Sequence, residues 1–294
     1  MRERTASGPR ALLHAARSAL EEGAFALWRP LFGGQRLARP IFMIGCPRSG
    51  TSVSAVLFAR HPDVAGFSEA GEVWDPRDYA DPEADHHWPA KRVTAEEAAR
   101  LHDRFEFARR LRSLPFHRGR RLLNKHPRNS VRIEYLRAVF PDAFFVHVIR
   151  DGRAVVHSML EMVEREPARR LVPMGAFCKP PGWQALLRED AVEQAALQWR
   201  EIVSCVLARR PALGGQYHEY RYEDLCHDVR GVLGQAFAAA GLRADERVMA
   251  RLPQRLEVQN FKWRGAFDEA QVETLLRVQG PLLERLGYGD RDGG

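Results

Sequence analysis

The stretch Ile41-Phe42-Met43-Ile44-Gly45-Cys46-Pro47-Arg48-Ser49-Gly50-Thr51-Ser52 decides how this chain folds. Four apolar residues bounded by Pro40 and Gly45 read as a short buried strand, and Ser49–Arg60 reads as a helix. A strand that turns tightly into a helix N-terminus aims several backbone N–H groups and the positive end of a helix dipole at one point, which makes an anion site. The glycine spacing invites comparison with the loop of nucleoside-triphosphate enzymes. Here Thr51 stands where that loop carries its lysine, and Arg48 supplies a cation three residues earlier. The apolar runs Ile41–Ile44 and Ala143–Ile149 are followed by Gly45 and Arg150, not by the aspartate that would hold Mg²⁺. Both differences point to a less highly charged phosphate ester bound without a metal.

Working outward, apolar runs and helical periodicities alternate. Strands are expected at 41–44, 122–125, 143–149 and 217–222, and helices at 9–28, 49–60, 94–112, 130–139, from about Asp151, and over 188–209, 228–240 and 268–286. Thr94 followed by Glu97 opens one helix with a capping box. Such alternation predicts an α/β fold, three layers (α/β/α) around a central, mainly parallel sheet with a P-loop-like strand–loop–helix. Ligands of such sheets bind at the carboxyl ends of the strands, here after Ile44, Lys125 and Ile149. The expected organisation is an N-terminal helical extension and linker over 1–39, one domain over 40–288 and a tail over 289–294. Leu12, Leu13, Ala16, Leu20 and Phe25 are expected near one face of the first helix, which suits docking on the domain and leaves peripheral membrane contact open.

After the strand 143–149 the chain reads Arg150-Asp151-Gly152-Arg153-Ala154-Val155-Val156-His157-Ser158. A guanidinium at a strand end can hold a phosphomonoester bidentately, and a serine one helical stretch later adds a hydroxyl donor. Together, P-R-S-G-T-S and the Arg150/Ser158 pair resemble sulfotransferases that use 3′-phosphoadenosine 5′-phosphosulfate (PAPS). The resemblance runs over about residues 40–288 and leaves 1–39 and 160–187 without a matching motif. It implies that Arg48, Ser49, Gly50, Thr51 and Ser52 clasp the 5′-phosphosulfate and that Arg150 and Ser158 hold the 3′-phosphate. It further implies that Tyr222 of the Y-E-D segment lies near the adenine, and that Lys262, Trp263 and Arg264 belong to a basic loop closing over the nucleotide. In this resemblance Lys125 and Arg48 stabilise the bridging oxygen as it leaves, and a glutamate soon after the H-P segment at 61–62 is the base. Glu69 fits that position best, with Glu72 next. The other branch of the family uses a histidine near the strand-end lysine. His126 follows Lys125 directly, and in an extended segment neighbours face opposite sides, so the two are not expected to share one site.

The resemblance thus implies transfer of the sulfonate of PAPS to a hydroxyl, less readily an amine, of a carbohydrate, lipid or other small-molecule acceptor, with no metal. A nucleotide or small-molecule kinase and an inactive nucleotide-binding scaffold are the alternatives, the first opposed by the missing loop lysine. The variable segments 75–118 and 160–187, together with Trp74 just before the first of them, offer Trp88, Phe105, Phe107, Phe116, Phe177 and Trp183 as acceptor-pocket surface.

Composition bounds the rest. The chain has 294 residues, 45% of them hydrophobic, with 45 basic against 38 acidic side chains for a net charge of +7. Extensive disorder is excluded, and so is an apolar run of the length a membrane span needs. Lys91, Lys125, Lys179 and Lys262 are its lysines, so nearly all the positive charge is arginine. No basic run or zinc-finger spacing points to nucleic acid. The four widely spaced cysteines read as reduced thiols of a cytoplasmic protein, and His86–His87 reads as part of a solvated loop.

Overall fold

A computed structural model describes residues 9–34, 36–68, 83–113, 120–257 and 260–289. Helix α1 (Pro9–Phe32) precedes β1 (Ile41–Ile44), α2 (Thr51–Phe58) and β2 (Val64–Ser68). Next come α3 (Ala95–Ser113), β3 (Arg121–Lys125), α4 (Ile133–Val139), β4 (Phe144–Ile149) and α5 (Gly152–Arg165). The chain closes with α6 (Ala191–Leu213), β5 (Tyr217–Arg221), α7 (Tyr222–His227), α8 (Val229–Ala239), α9 (Glu246–Met249) and α10 (Glu269–Arg285). The strands form one sheet in the order β2-β3-β1-β4-β5, and every pairing is parallel.

The layering follows from the two-residue period of β1. Ile41 and Met43 face a cluster with Phe58, Leu233 and Phe237, whereas Phe42 and Ile44 face one with Phe105, Ile133, Leu136 and Phe140. Both faces of the sheet are therefore dry, and helices from both sides close it. A third cluster joins α5, α6 and α10 through Val155, Met159, Trp199, Leu275 and Leu282. The central strand β1 is fully buried between β3 and β4, with Met43 in register with Lys125 and Ile44 with His147.

β2 is an element that the sequence did not announce. Its Val-Ala-Gly-Phe-Ser carries little β-branched character, but Gly66 lets α2 approach so closely that a Cβ there would lie 2.6 Å from the Ala59 Cβ. The helix expected over 130–139 begins instead as a 3₁₀ turn at Pro127–Val131 and becomes α-helical only at Ile133.

Helix α1 docks on α3; of the face expected to be apolar, the side chains of Leu12, Leu13 and Ala16 lie outside the description, Phe25 is buried as expected and Leu20 is not. Phe25 is buried and packs edge-on to Phe107, while Leu20 points outward, 75% exposed. Arg29 pairs with Asp103 and Glu22 pairs with Arg104, two ion pairs that tie the helix to α3. The linker that follows is tied down as well: the Gly34 N–H donates to Asp103 and the Leu37 N–H to His102. Among the described residues no helix is long and apolar enough to cross a membrane.

Candidate active site

The loop after β1 is shaped by residues in left-handed conformations. Gly45 has φ 153°, and a Cβ there would meet the Val148 carbonyl oxygen at 2.6 Å. Gly50 has φ 85° and caps α2, and the non-glycine Arg48 is held at φ 71°. A non-glycine residue in that region costs about 1–3 kcal/mol, which the surrounding structure must offset. Ser130, from the 3₁₀ turn after β3, clasps the loop: its hydroxyl accepts from the Gly45 N–H at 2.9 Å and donates to the Gly45 carbonyl at 3.0 Å. Ser49 and Thr51 are buried beneath the loop, and Ser52 faces outward at the start of α2.

The two motifs recognised in sequence meet here. Arg48 Nε donates to Ser158 Oγ at 3.0 Å, and Arg150 Nη1 donates to the Arg48 carbonyl at 2.9 Å. Arg150 does not pair with its neighbour Asp151, whose carboxylate is taken by Arg153 at 2.8 Å. Burial and the adjacent Arg150 charge both push the pKa of Arg48 down. Two guanidinium groups held this close favour an anion between or beside them.

These residues line a cleft of about 530 Å³, within the range of small-ligand sites. Arg48, Gly50, Thr51, Ser52, Arg150, Ser158 and Tyr222 form one part of it, and Lys125, His126, Arg128, Arg169 and Phe177 another. The Tyr222 ring packs so tightly on Gly50 that a Cβ there would sit 2.2 Å from Tyr222 Cδ2, and the Arg150 guanidinium lies 4.8 Å from the ring centre. Burial pushes the Tyr222 hydroxyl up to about 12, so it remains a neutral donor.

Lys125 ends β3 in register with Ser68, the last residue of β2. Glu69, Glu72, Trp74 and Phe116 lie outside the described residues. Contrary to expectation, His126 and Lys125 both line the cleft, His126 as the extended residue before the 3₁₀ turn. The imidazole is nonetheless committed. Its Nδ1 accepts the Arg128 N–H at 3.1 Å, and burial together with the surrounding cations holds its pKa well below the usual value. Neutral, with its acceptor nitrogen engaged and the ring proton on Nε2, it is poorly placed to take a proton from an acceptor.

Other expectations need correction. Lys262, Trp263 and Arg264 form a 3₁₀ turn that does not line this cleft; Trp263 packs inward, with the Arg153 guanidinium 4.6 Å from its ring. Of the aromatic residues expected at an acceptor pocket, Phe177 lines the cleft, while Trp88, Phe105 and Trp183 are core and Phe107 supports α1. His86 is no solvated loop residue. It is buried, its Nδ1 accepts the Lys179 N–H at 3.0 Å, and burial lowers its pKa to about 2. All four cysteines are buried and unbridged. Among the described residues no cluster of three metal-ligating side chains occurs. Asn260 and Ser130, which hold Arg150 and Gly45, had no local motif to mark them.

Comparison with known proteins agrees with this geometry. The chain is 25% identical over 177 residues to the omega-hydroxy-beta-dihydromenaquinone-9 sulfotransferase of Mycobacterium bovis, a match covering 59% of this chain and 42% of that protein. It is 30% identical over 141 residues to protein-tyrosine sulfotransferase 1 of Danio rerio, covering 43% of this chain and 39% of that one. The chain thus spans about two fifths of the length of these relatives. In structure it is similar to the sulfotransferase domain of the curacin biosynthetic pathway, with TM-score 0.53 at 17% identity over 86% of this chain and 99% of that one, a likeness of fold. A model of the sulfotransferase family matches residues 40–246, spanning the loop after β1, the Arg150–Ser158 pair and Tyr222, and the chain belongs to that family.

Proposed function

We propose that the protein transfers the sulfonate group of PAPS to a hydroxyl of its acceptor. The observation that carries this reading is the single cleft in which Arg48, Ser158 and Arg150 converge with the N-terminus of α2. A nucleotide phosphorylated at both 3′ and 5′ positions needs two anion sites, and in this reading the loop after β1 is one and the Arg150/Ser158 pair the other. When bound, PAPS supplies a sulfonate on a phosphate leaving group. The loop N–H groups and the hydroxyls of Thr51 and Ser52 hold its 5′ end, Arg150 and Ser158 its 3′-phosphate, and Tyr222 borders the base. Lys125, buried at the end of β3 and lining the cleft, places positive charge where the phosphate oxygen is released. Glu69 takes the acceptor proton as the acceptor oxygen bonds to sulfur and the sulfur–phosphate oxygen bond breaks. Positioning and fixed charge thus do most of the work, as in phosphoryl transfer.

The acceptor atom is a hydroxyl oxygen in this reading. The relatives named for a hydroxylated menaquinone and for protein tyrosine both offer one. The test is incubation with PAPS and panels of lipid, phenolic and carbohydrate alcohols, scored by mass spectrometry for the gain of one SO₃ unit. Transfer is expected from PAPS and none from ATP–Mg²⁺, and Lys125→Ala is expected to lower kcat by about 10²–10⁴. Phosphate transfer from ATP, or full turnover by the Lys125 variant, would contradict the assignment.

A further inference from the structure

Arg150 is held by neutral groups. Among the described residues it has no carboxylate partner: Nε donates to Asn260 Oδ1 at 2.8 Å, Nη1 donates to the Arg48 carbonyl at 2.9 Å, and the guanidinium lies over the Tyr222 ring. Two carboxylates stand close by, and both are engaged elsewhere. Asp151 is locked to Arg153. Glu223 accepts the Asp151 N–H at 3.1 Å on Oε1 and the Tyr288 hydroxyl at 2.8 Å on Oε2. The remaining link is an amide: Asn260 Nδ2 donates to Glu223 Oε1 at 2.8 Å while its oxygen faces Arg150.

This bridge needs a side chain that accepts at one end and donates at the other. A guanidinium N–H can only donate and a carboxylate accepts, so an amide fits between them and a carboxylate does not. Asp in place of Asn260 would set a negative charge on Arg150 Nε and against Glu223. A charge-assisted pair of that kind would neutralise the cation. Burial of Glu223 raises its pKa, as expected of a carboxyl held by neutral donors and kept from direct contact with a guanidinium.

Resting on the reading of Arg150 and Ser158 as the 3′-phosphate site, we propose that Asn260 is a positioning residue. It aims Arg150 and, by standing between that guanidinium and Glu223, leaves the positive charge to the nucleotide's 3′-phosphate. The 3₁₀ turn that carries Asn260 thereby serves the nucleotide site from behind, although its basic residues do not line the cleft.

Calorimetric titration of the full chain with adenosine 3′,5′-bisphosphate and with adenosine 5′-monophosphate tests this. Asn260→Asp is expected to raise Kd for the bisphosphate about tenfold or more, while the monophosphate changes by less than about twofold. Asn260→Ala, which adds no charge, keeps the test open should the Asp variant fail to fold; a selective bisphosphate loss of about threefold is expected of it. Parallel weakening of both nucleotides would mark general damage and overturn the spacer role, as would unchanged bisphosphate affinity in Asn260→Asp. If the parent protein itself shows no preference for the bisphosphate, the 3′-phosphate reading falls, and the role of Asn260 with it.

Discussion

At the scale of single residues, the site depends on close approach. Gly50 is the clearest case, since its φ of 85° and its contact with Tyr222 both forbid a side chain. Gly50→Ala is expected to cost about 1–3 kcal/mol from the backbone alone and to push the Tyr222 ring from its place against the loop. Thermal melting and nucleotide titration check it: a lower midpoint with weakened adenosine-nucleotide binding is expected, and an unchanged protein would show that the contact is loose. Residues whose convergence was legible in the sequence are those defined by a local motif, namely the loop 45–52 and the Arg150/Ser158 spacing. Asn260 and Ser130 act on partners 110 and 85 residues away, so no local pattern could reveal them. The expectation that His126 and Lys125 would not share a site did not hold, since both line the cleft. The imidazole's bond from the Arg128 amide is likewise something only the fold supplies.

Elements were legible wherever hydrophobic pattern and burial agreed. β1 is an unbroken apolar run and β4 one interrupted only by His147, both buried on both faces, and each appears within a residue of its expected bounds. β2 was hidden because its stability comes from pairing with β3 and from the small Gly66, not from its own composition. Helix α1 differs at Leu20 alone among the described side chains of its expected face: Phe25 is buried, while Leu20, Leu27 and Leu31 stand outward at about three-quarters exposure each, and ion pairs of Arg29 and Glu22 tie the helix to α3. The 3₁₀ turn at Pro127–Val131 works as a clamp on the loop through Ser130. Ser130→Ala is expected to leave the buried Gly45 N–H without that acceptor, at a cost of about 1–3 kcal/mol. The check is the urea midpoint together with nucleotide affinity, both of which should fall; a variant as stable as its parent would mean that the loop holds itself.

For the whole molecule, one parallel sheet brings to a single edge what the sequence separates. The carboxyl ends of β1, β3 and β4 deliver Arg48, Lys125 and Arg150 to one cleft, as the general rule for such sheets anticipates. The central claim is that two guanidinium groups grip one adenosine bisphosphate with no help from a divalent ion. Titration of adenosine 3′,5′-bisphosphate into the parent protein and into Arg150→Ala, in buffer containing a chelator, tests it most directly. The account predicts saturable one-to-one binding by the parent and a loss of about tenfold or more in the variant; binding that needs added Mg²⁺, or that survives loss of Arg150 unchanged, would contradict it.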